Sequence, residues 1–249
     1  MKIKEEILKI LDNCRIENDI VYLPDTQLDR KTYQNVNKCL ESIGGKWNRK
    51  AKGHIFESDP SELFENLILT GEVTDIKKEF QYFPTPKDIA LQMIEMADIK
   101  SSDMLLEPSA GQGNISDYFP KENDYLLIEL NENNAKILDE KGYRVLIGDF
   151  LNCNFTDADK IIMNPPFHTQ GIAQADISHI LHAFELLKPN GILVSVVSAS
   201  PFFRENKKSV EFRQFLEDNN AQIIDLPEGA FRESGTMVRA KIIKIVKGK

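Results

Sequence analysis

The sequence predicts an α/β fold: a seven-stranded, mostly parallel sheet with one antiparallel strand, preceded by a small α+β module. Three observations carry this expectation. From residue 100 on, short apolar runs alternate with stretches of helical period, the pattern of parallel strands joined by crossover helices. The last two runs are joined only by the loop Pro227–Met237, short enough to reverse the chain and not to cross the sheet. Upstream, Phe83-Pro84-Thr85-Pro86 forces an extended segment, because each proline restricts its own φ and the residue before it.

Taken in order, residues 1–80 predict a helix at Lys2–Leu11, a strand at Ile20–Leu23 and a helix at Lys31–Ile43 that stops at Gly44-Gly45. A short strand at His54–Phe56 follows, then a helix opened by Asp59-Pro60-Ser61-Glu62. The second domain, 81–249, begins with a helix in which Ile89, Met93, Met96 and Ala97 share one face, with Thr85 as its N-cap and Pro86 in its first turn. Strands are expected at Met104–Leu106, Tyr125–Ile128, Arg144–Ile147, Lys160–Met163, Ile192–Val197, Gln222–Leu226 and Val238–Val246. Helices at Asn133–Lys141, Ala173–Leu187 and Ser209–Asn219 lie between them.

With 249 residues, 41% hydrophobic and 28% charged, the chain can bury a core and is not globally disordered. It has no uncharged apolar run long enough to span a bilayer, and its mixed-charge opening Met1–Glu6 leads to the expectation of no signal peptide. The cysteines Cys14, Cys39 and Cys153 form neither a disulfide framework nor a zinc set. A cytoplasmic protein with no membrane partner is expected. The net charge of −8 means that any nucleic-acid contact must come from local patches, since bulk attraction to phosphate requires cations.

Four constellations carry chemistry. In Glu107-Pro108-Ser109-Ala110-Gly111-Gln112-Gly113, an apolar strand ends in an acid and a glycine turn, where the backbone can approach a ligand closely. Glu129, followed by Leu130, ends the next strand, where a carboxylate can accept two ribose hydroxyls. Asp149-Phe150 ends the third, offering an acceptor for an exocyclic amine and a flat wall for a purine. Asn164-Pro165-Pro166-Phe167-His168 follows the fourth. Its prolines remove two donors and stiffen the chain, leaving an amide, outward carbonyls and an aromatic ring as a receptor for a planar amine.

This order of motifs resembles the class I S-adenosylmethionine-dependent methyltransferases, and more narrowly the amino-group DNA methylases that act on adenine N6, of the Asn-Pro-Pro-Phe type found in phages and restriction-modification systems. The resemblance covers roughly residues 81–249 and implies a Rossmann-like fold with S-adenosyl-L-methionine as cofactor. It implies that Thr85 and the Gly111–Gly113 backbone hold the methionine end, with Glu107 near the amino group and Pro108, Ser109 and Ala110 also bordering the cofactor. Glu129 and Leu130 would border the ribose, and Asp149 and Phe150 the cofactor's adenine. Asn164, Pro165, Pro166 and Phe167 would be catalytic, Asn164 also bordering the cofactor, with His168 and Phe231 beside the extruded base.

Methylases with this motif order usually carry a sequence-reading domain after the last motif. Here recognition is expected from residues 1–80, from loops or from another subunit, with a homodimer or separate specificity subunit both open. Within the front module, Lys46, Trp47, Arg49 and Lys50 form a cationic strip suited to phosphate and base contact, or a basic hairpin whose tryptophan packs. Arg204, in Pro201–Lys208, either flanks the substrate cleft or belongs to a helix lead-in with buried phenylalanines. His179 and His182, three apart on a helix, lack a third ligand and are read as structural, with no metal. DNA is the expected substrate. RNA guanine N2 or adenine N6, or a protein glutamine, is the alternative, and a non-catalytic DNA-binding subunit with the same fold is the third reading.

Overall fold

A computed structural model describes residues 3–56, 59–71, 83–154, 157–169 and 172–248. The domain boundary expected near residue 80 falls in 72–82, outside the described residues.

The front module contains α1 (Glu5–Asp12), α2 (Arg30–Ser42) and α3 (Ser61–Thr70). Its strands are β1 (Arg15–Glu17), β2 (Ile20–Tyr22), β3 (Lys46–Asn48) and β4 (Gly53–Ile55). They form an antiparallel sheet of order β1-β2-β4-β3. Two of these strands, β1 and β3, lie outside the sequence expectation, because three charged or polar-flanked residues give no apolar period. Helix α2 starts where Asp29 accepts from the N–H groups of Lys31 and Thr32, satisfying donors that a helix leaves unpaired. Gly45 follows α2 because a Cβ there would lie 2.7 Å from the Phe56 ring.

The second domain has α4 (Lys87–Ala97), β5 (Leu105–Pro108), β6 (Tyr125–Glu129), α5 (Glu132–Glu140), β7 (Val145–Ile147) and β8 (Ala158–Met163). It continues with α6 (Ala175–Leu186), β9 (Leu187–Ser198), α7 (Lys207–Asp218), β10 (Gln222–Asp225) and β11 (Ala240–Val246). The sheet order is β10-β11-β9-β8-β5-β6-β7. Strands β5 to β9 run parallel, and β11 pairs antiparallel with both β9 and β10. The seven-stranded Rossmann-like sheet with one reversed strand is therefore present. The reversed strand is last in sequence but sits between β9 and β10, not at the edge.

Period-two alternation divides the core. On β8, Ile161 and Met163 face the α6–α7 layer, while Ile162 faces the α4 layer. Each such side chain, fully buried, contributes roughly 1.5–3 kcal/mol. No α-helix follows the glycine loop directly; a single 3-10 turn, Ser116–Tyr118, stands there.

The two modules share a core. Phe203, from the segment after β9, is buried in the cluster formed by α1, α2 and α3. Arg204 follows it into the same interface. No helix among the described residues is long and apolar enough to cross a membrane.

Candidate active site

Parallel pairing of β8, β5, β6 and β7 brings the ends of four strands to one edge. Glu107, Glu129, Asp149 and Asn164 therefore come together there, although they span 58 residues of sequence. Hydrogen bonds tie the loops to each other. Gly111 N–H donates to Glu129 Oε2 at 2.7 Å, and Asn131 N–H donates to Glu129 Oε1 at 2.8 Å. Glu129 thus clamps the glycine loop, a role that strand-end chemistry alone does not reveal.

The 107–113 loop takes backbone conformations that few side chains tolerate. Gly113 has φ +86°, and a Cβ there would sit 3.0 Å from Leu138 Cδ2. Ser109 also lies in the left-handed region, φ +55°, a local strain of the kind held in place by its surroundings. Glu107 is buried, and its Oε2 has no hydrogen-bond partner. Burial pushes its carboxyl up to about 8, against partial relief from Ser116.

The Asn164–Phe167 turn is held from behind. Asn164 Nδ2 donates to Phe83 O at 3.3 Å and to Thr85 Oγ1 at 3.1 Å. A carbonyl only accepts, so the amide nitrogen must face Phe83, which decides the amide's orientation. Asn164 Oδ1 accepts from no described residue, and no backbone N–H among them reaches the Pro165 carbonyl. Thr85 is not the N-cap of α4, a position held by Pro86; its hydroxyl serves Asn164. Ser234 Oγ donates to Pro84 O at 2.6 Å, so the loop after β10 secures the same proline segment. Sequence reasoning gives Ser234 no role.

Other expected site residues lie elsewhere than their motifs suggest. The Phe150 ring is 3% exposed and packs against His182 and His179, with centroids 4.9 and 5.8 Å away. It offers no open wall for a purine, because the two histidines cover it. His179 Nδ1 is 2.9 Å from Ala175 O and His182 Nε2 is 2.9 Å from Cys153 O, so both are engaged with backbone. Asp149 caps the turn behind it, accepting from Leu151 N–H and Asn152 Nδ2. Phe231 is fully buried, so it anchors its loop and presents no face to a base. Phe167 is 7% exposed and packs into the α4 layer.

Arg204 does not flank an open cleft as a free cation. Its Nη1 donates to Glu65 Oε1 at 2.7 Å, and its Nε lies 2.6 Å from Asp12 Oδ1, an ion-pair contact without hydrogen-bond alignment. A cleft of about 540 Å³ opens beside this triad; its lining includes His168 and Ala173 from the second domain, Asp12, Asp59, Glu62 and Glu65 from the front module, and Arg204 itself. Leu130 is 67% exposed at the strand edge, and Lys46, Arg49 and Lys50 are exposed on the front module.

Residues 106–221 match the methyltransferase small domain. Its cofactor is S-adenosyl-L-methionine. The matched segment runs from β5 to the end of α7 and includes the glycine loop, Glu129 and the Asn164 turn. No curated protein matches the chain. Among solved structures, one described as a class I S-adenosylmethionine-dependent methyltransferase from Listeria monocytogenes is 16% identical, with TM-score 0.54, covering 98% of this chain and 87% of that one. A modification subunit of a type I restriction enzyme from Vibrio vulnificus is 18% identical, with TM-score 0.56, covering 88% of this chain and 53% of the other. A dimethyladenosine transferase from Plasmodium falciparum is 19% identical, with TM-score 0.50, covering 66% and 63%. At these identities the likeness establishes the fold.

The matched segment has groups that fit this cofactor. The unpartnered, buried Glu107 Oε2 stands at the end of β5, beside the positive-φ turn. A cation there would satisfy it, and the cofactor's α-ammonium is such a cation. Glu129 retains acceptor capacity beyond its two backbone bonds, as a carboxylate offers about four lone-pair sites.

Proposed function

We propose that the protein transfers the methyl group of S-adenosyl-L-methionine to the exocyclic N6 amino group of adenine in DNA. The observation that carries this reading is the fixed amide of Asn164, whose nitrogen is held by Phe83 and Thr85 while its oxygen accepts from no described residue. Bound cofactor supplies an electrophilic sulfonium methyl. The chain's own contribution is to the amine. Asn164 Oδ1 and the Pro165 carbonyl both accept from an NH₂ group, drawing its nitrogen toward tetrahedral geometry and freeing a lone pair that is otherwise delocalised into the ring. The prolines hold these acceptors still, so little reorganisation is needed during transfer. The base leaves its stack to reach them, at a cost of a few kcal/mol.

At about 540 Å³ the cleft beside His168 has room for a nucleoside; of its carboxylates, Asp12 and Glu65 are held by Arg204, which lines it too. Glu107, Glu129 and Asp149 serve the cofactor in this reading, and His168 borders the base.

The test is transfer of labelled methyl from S-adenosyl-L-methionine into separate pools of DNA, RNA and protein, followed by digestion and identification of the modified base. N6-methyladenine from the DNA pool is the expected product. Label entering RNA or protein alone overturns the substrate assignment.

A further inference from the structure

The chain is acidic, yet its charge is segregated. Residues 30–52 hold seven cations, Arg30, Lys31, Lys38, Lys46, Arg49, Lys50 and Lys52, against one carboxylate, Glu41: a net +6 in a chain whose total is −8. The other 226 residues therefore sum to −14. All seven cations are exposed, and none forms an ion pair among the described residues. Elsewhere on the surface, basic side chains such as Lys141, Lys188 and Lys207 are paired with carboxylates.

These residues belong to two adjoining elements. Strand β3 is the free edge of the front sheet, and α2 lies beside it. The join is made by His54, fully buried, with Nε2 2.8 Å from Asn37 Oδ1 of α2 and its ring 5.2 Å from that of Trp47 on β3. Trp47 is 47% exposed although it is the chain's single tryptophan, and Tyr33, one turn before Asn37 on α2, is 38% exposed. Large aromatic rings left open among unpaired cations suit a partner with both phosphates and π-faces. Along α2, Arg30 and Lys38 are about 12 Å apart, roughly the width of the major groove.

We propose that α2 and the β3–β4 hairpin together form the surface on which duplex DNA docks, with Trp47 as its aromatic contact. The inference rests on the nucleic-acid reading above and deepens it. It divides the labour: the Asn164 turn receives the base, and the cationic face of the front module carries the backbone. Because the two modules share the buried Phe203 and Arg204, a duplex held by one is held relative to the other.

The experiment titrates the full chain with a duplex oligonucleotide, a hairpin RNA of equal length and phosphatidylserine vesicles, at several salt concentrations. Trp47 is the only tryptophan, so intrinsic fluorescence reports the surface directly. The expected result is quenching by duplex DNA. The triple variant Lys46→Ser, Arg49→Ser, Lys50→Ser and the double variant Lys31→Ser, Lys38→Ser should each bind at least tenfold more weakly at low salt. The slope of log K against log salt should become shallower by about 0.9 for each phosphate that the variant no longer neutralises. Retained binding of S-adenosyl-L-methionine shows that the variants are folded. Unchanged affinity and slope in both variants, with DNA still methylated, overturns the docking surface and leaves the proposed reaction standing. Preference for RNA or vesicles over duplex also overturns it. Duplex binding through these cations without methyl transfer to DNA keeps the surface and removes the proposed reaction.

Discussion

Arg204 and Glu65 meet at 2.7 Å across 139 residues of sequence, with Asp12 on the guanidinium's other side. All three side chains are at most 9% exposed. The triad is therefore a buried charge cluster that joins α1 and α3 to the segment after β9. Desolvation raises the Asp12 carboxyl, and the nearby Arg204 partly restores it.

Replacing Arg204 with methionine strands two carboxylates in the interface. Leaving a buried charge uncompensated costs about 3–5 kcal/mol. Calorimetry should show a lower Tm, and the front module and catalytic domain should cease to unfold together. Arg204→Lys should also be destabilising, because an ammonium cannot present the planar fork that spans both acids. An unchanged Tm would refute the linkage.

Thr85→Val removes one of the two acceptors that hold the Asn164 amide. A lost hydrogen bond of this kind is worth about 1 kcal/mol, so kcat should fall about five- to tenfold, with cofactor affinity retained. Thr85→Ser should recover most of the rate. Asn164→Ala should abolish turnover and still bind S-adenosyl-L-methionine by calorimetry; loss of cofactor binding in that variant would contradict the division of roles.

Cofactor affinity should depend on pH through Glu107. Its carboxyl is raised by burial from an ordinary 4.5 to about 8, so below that pH it must ionise to receive a cation. Affinity should rise by up to tenfold per pH unit toward about 8, then decline as the cofactor's own α-amino group deprotonates. Glu107→Gln should flatten the acidic limb. In the ligand-free protein the sign reverses. Between about 4.5 and about 8 the folded chain keeps a proton that the unfolded chain releases, so the stability associated with Glu107 is present at low pH and is lost as pH rises through the folded value. The thermal shift produced by cofactor should therefore be larger at pH 8 than at pH 6.

Ser234→Ala releases Pro84 from the loop after β10. Since Pro84 lies between the two residues that hold Asn164, the effect should appear as a severalfold loss of kcat with little change in Tm. A variant that loses stability without losing rate would make Ser234 a packing residue only.

Much of this arrangement is legible in the sequence because its causes are local. Apolar runs bounded by turns mark every strand of the large sheet, and chain order places Glu107, Glu129, Asp149 and Asn164 each at a strand's end. Short elements are less legible. Strands β1 and β3 have three residues each, mostly charged or polar, whereas the equally short β2 and β4 are marked by the apolar pairs Ile20-Val21 and Ile55-Phe56. Side-chain partners are the least legible. Phe150 and Phe231 look like open aromatics until their neighbours close over them, and Thr85 looks like a cap until Asn164 claims its hydroxyl.

By itself, then, the sequence determined the α/β class, the count of strands in the main sheet and the residue types along the edge where β8, β5, β6 and β7 end. These depend on hydrophobic period and backbone stereochemistry, which act over a few residues. The tertiary structure alone decided that Arg204 is a structural ion, that Glu129 clamps the glycine loop, that Ser234 supports the proline segment behind Asn164 and that the cations of α2 adjoin those of the β3–β4 hairpin. Each of these depends on contacts between distant segments, and a buried charge or hydroxyl takes whichever partner folding brings within reach.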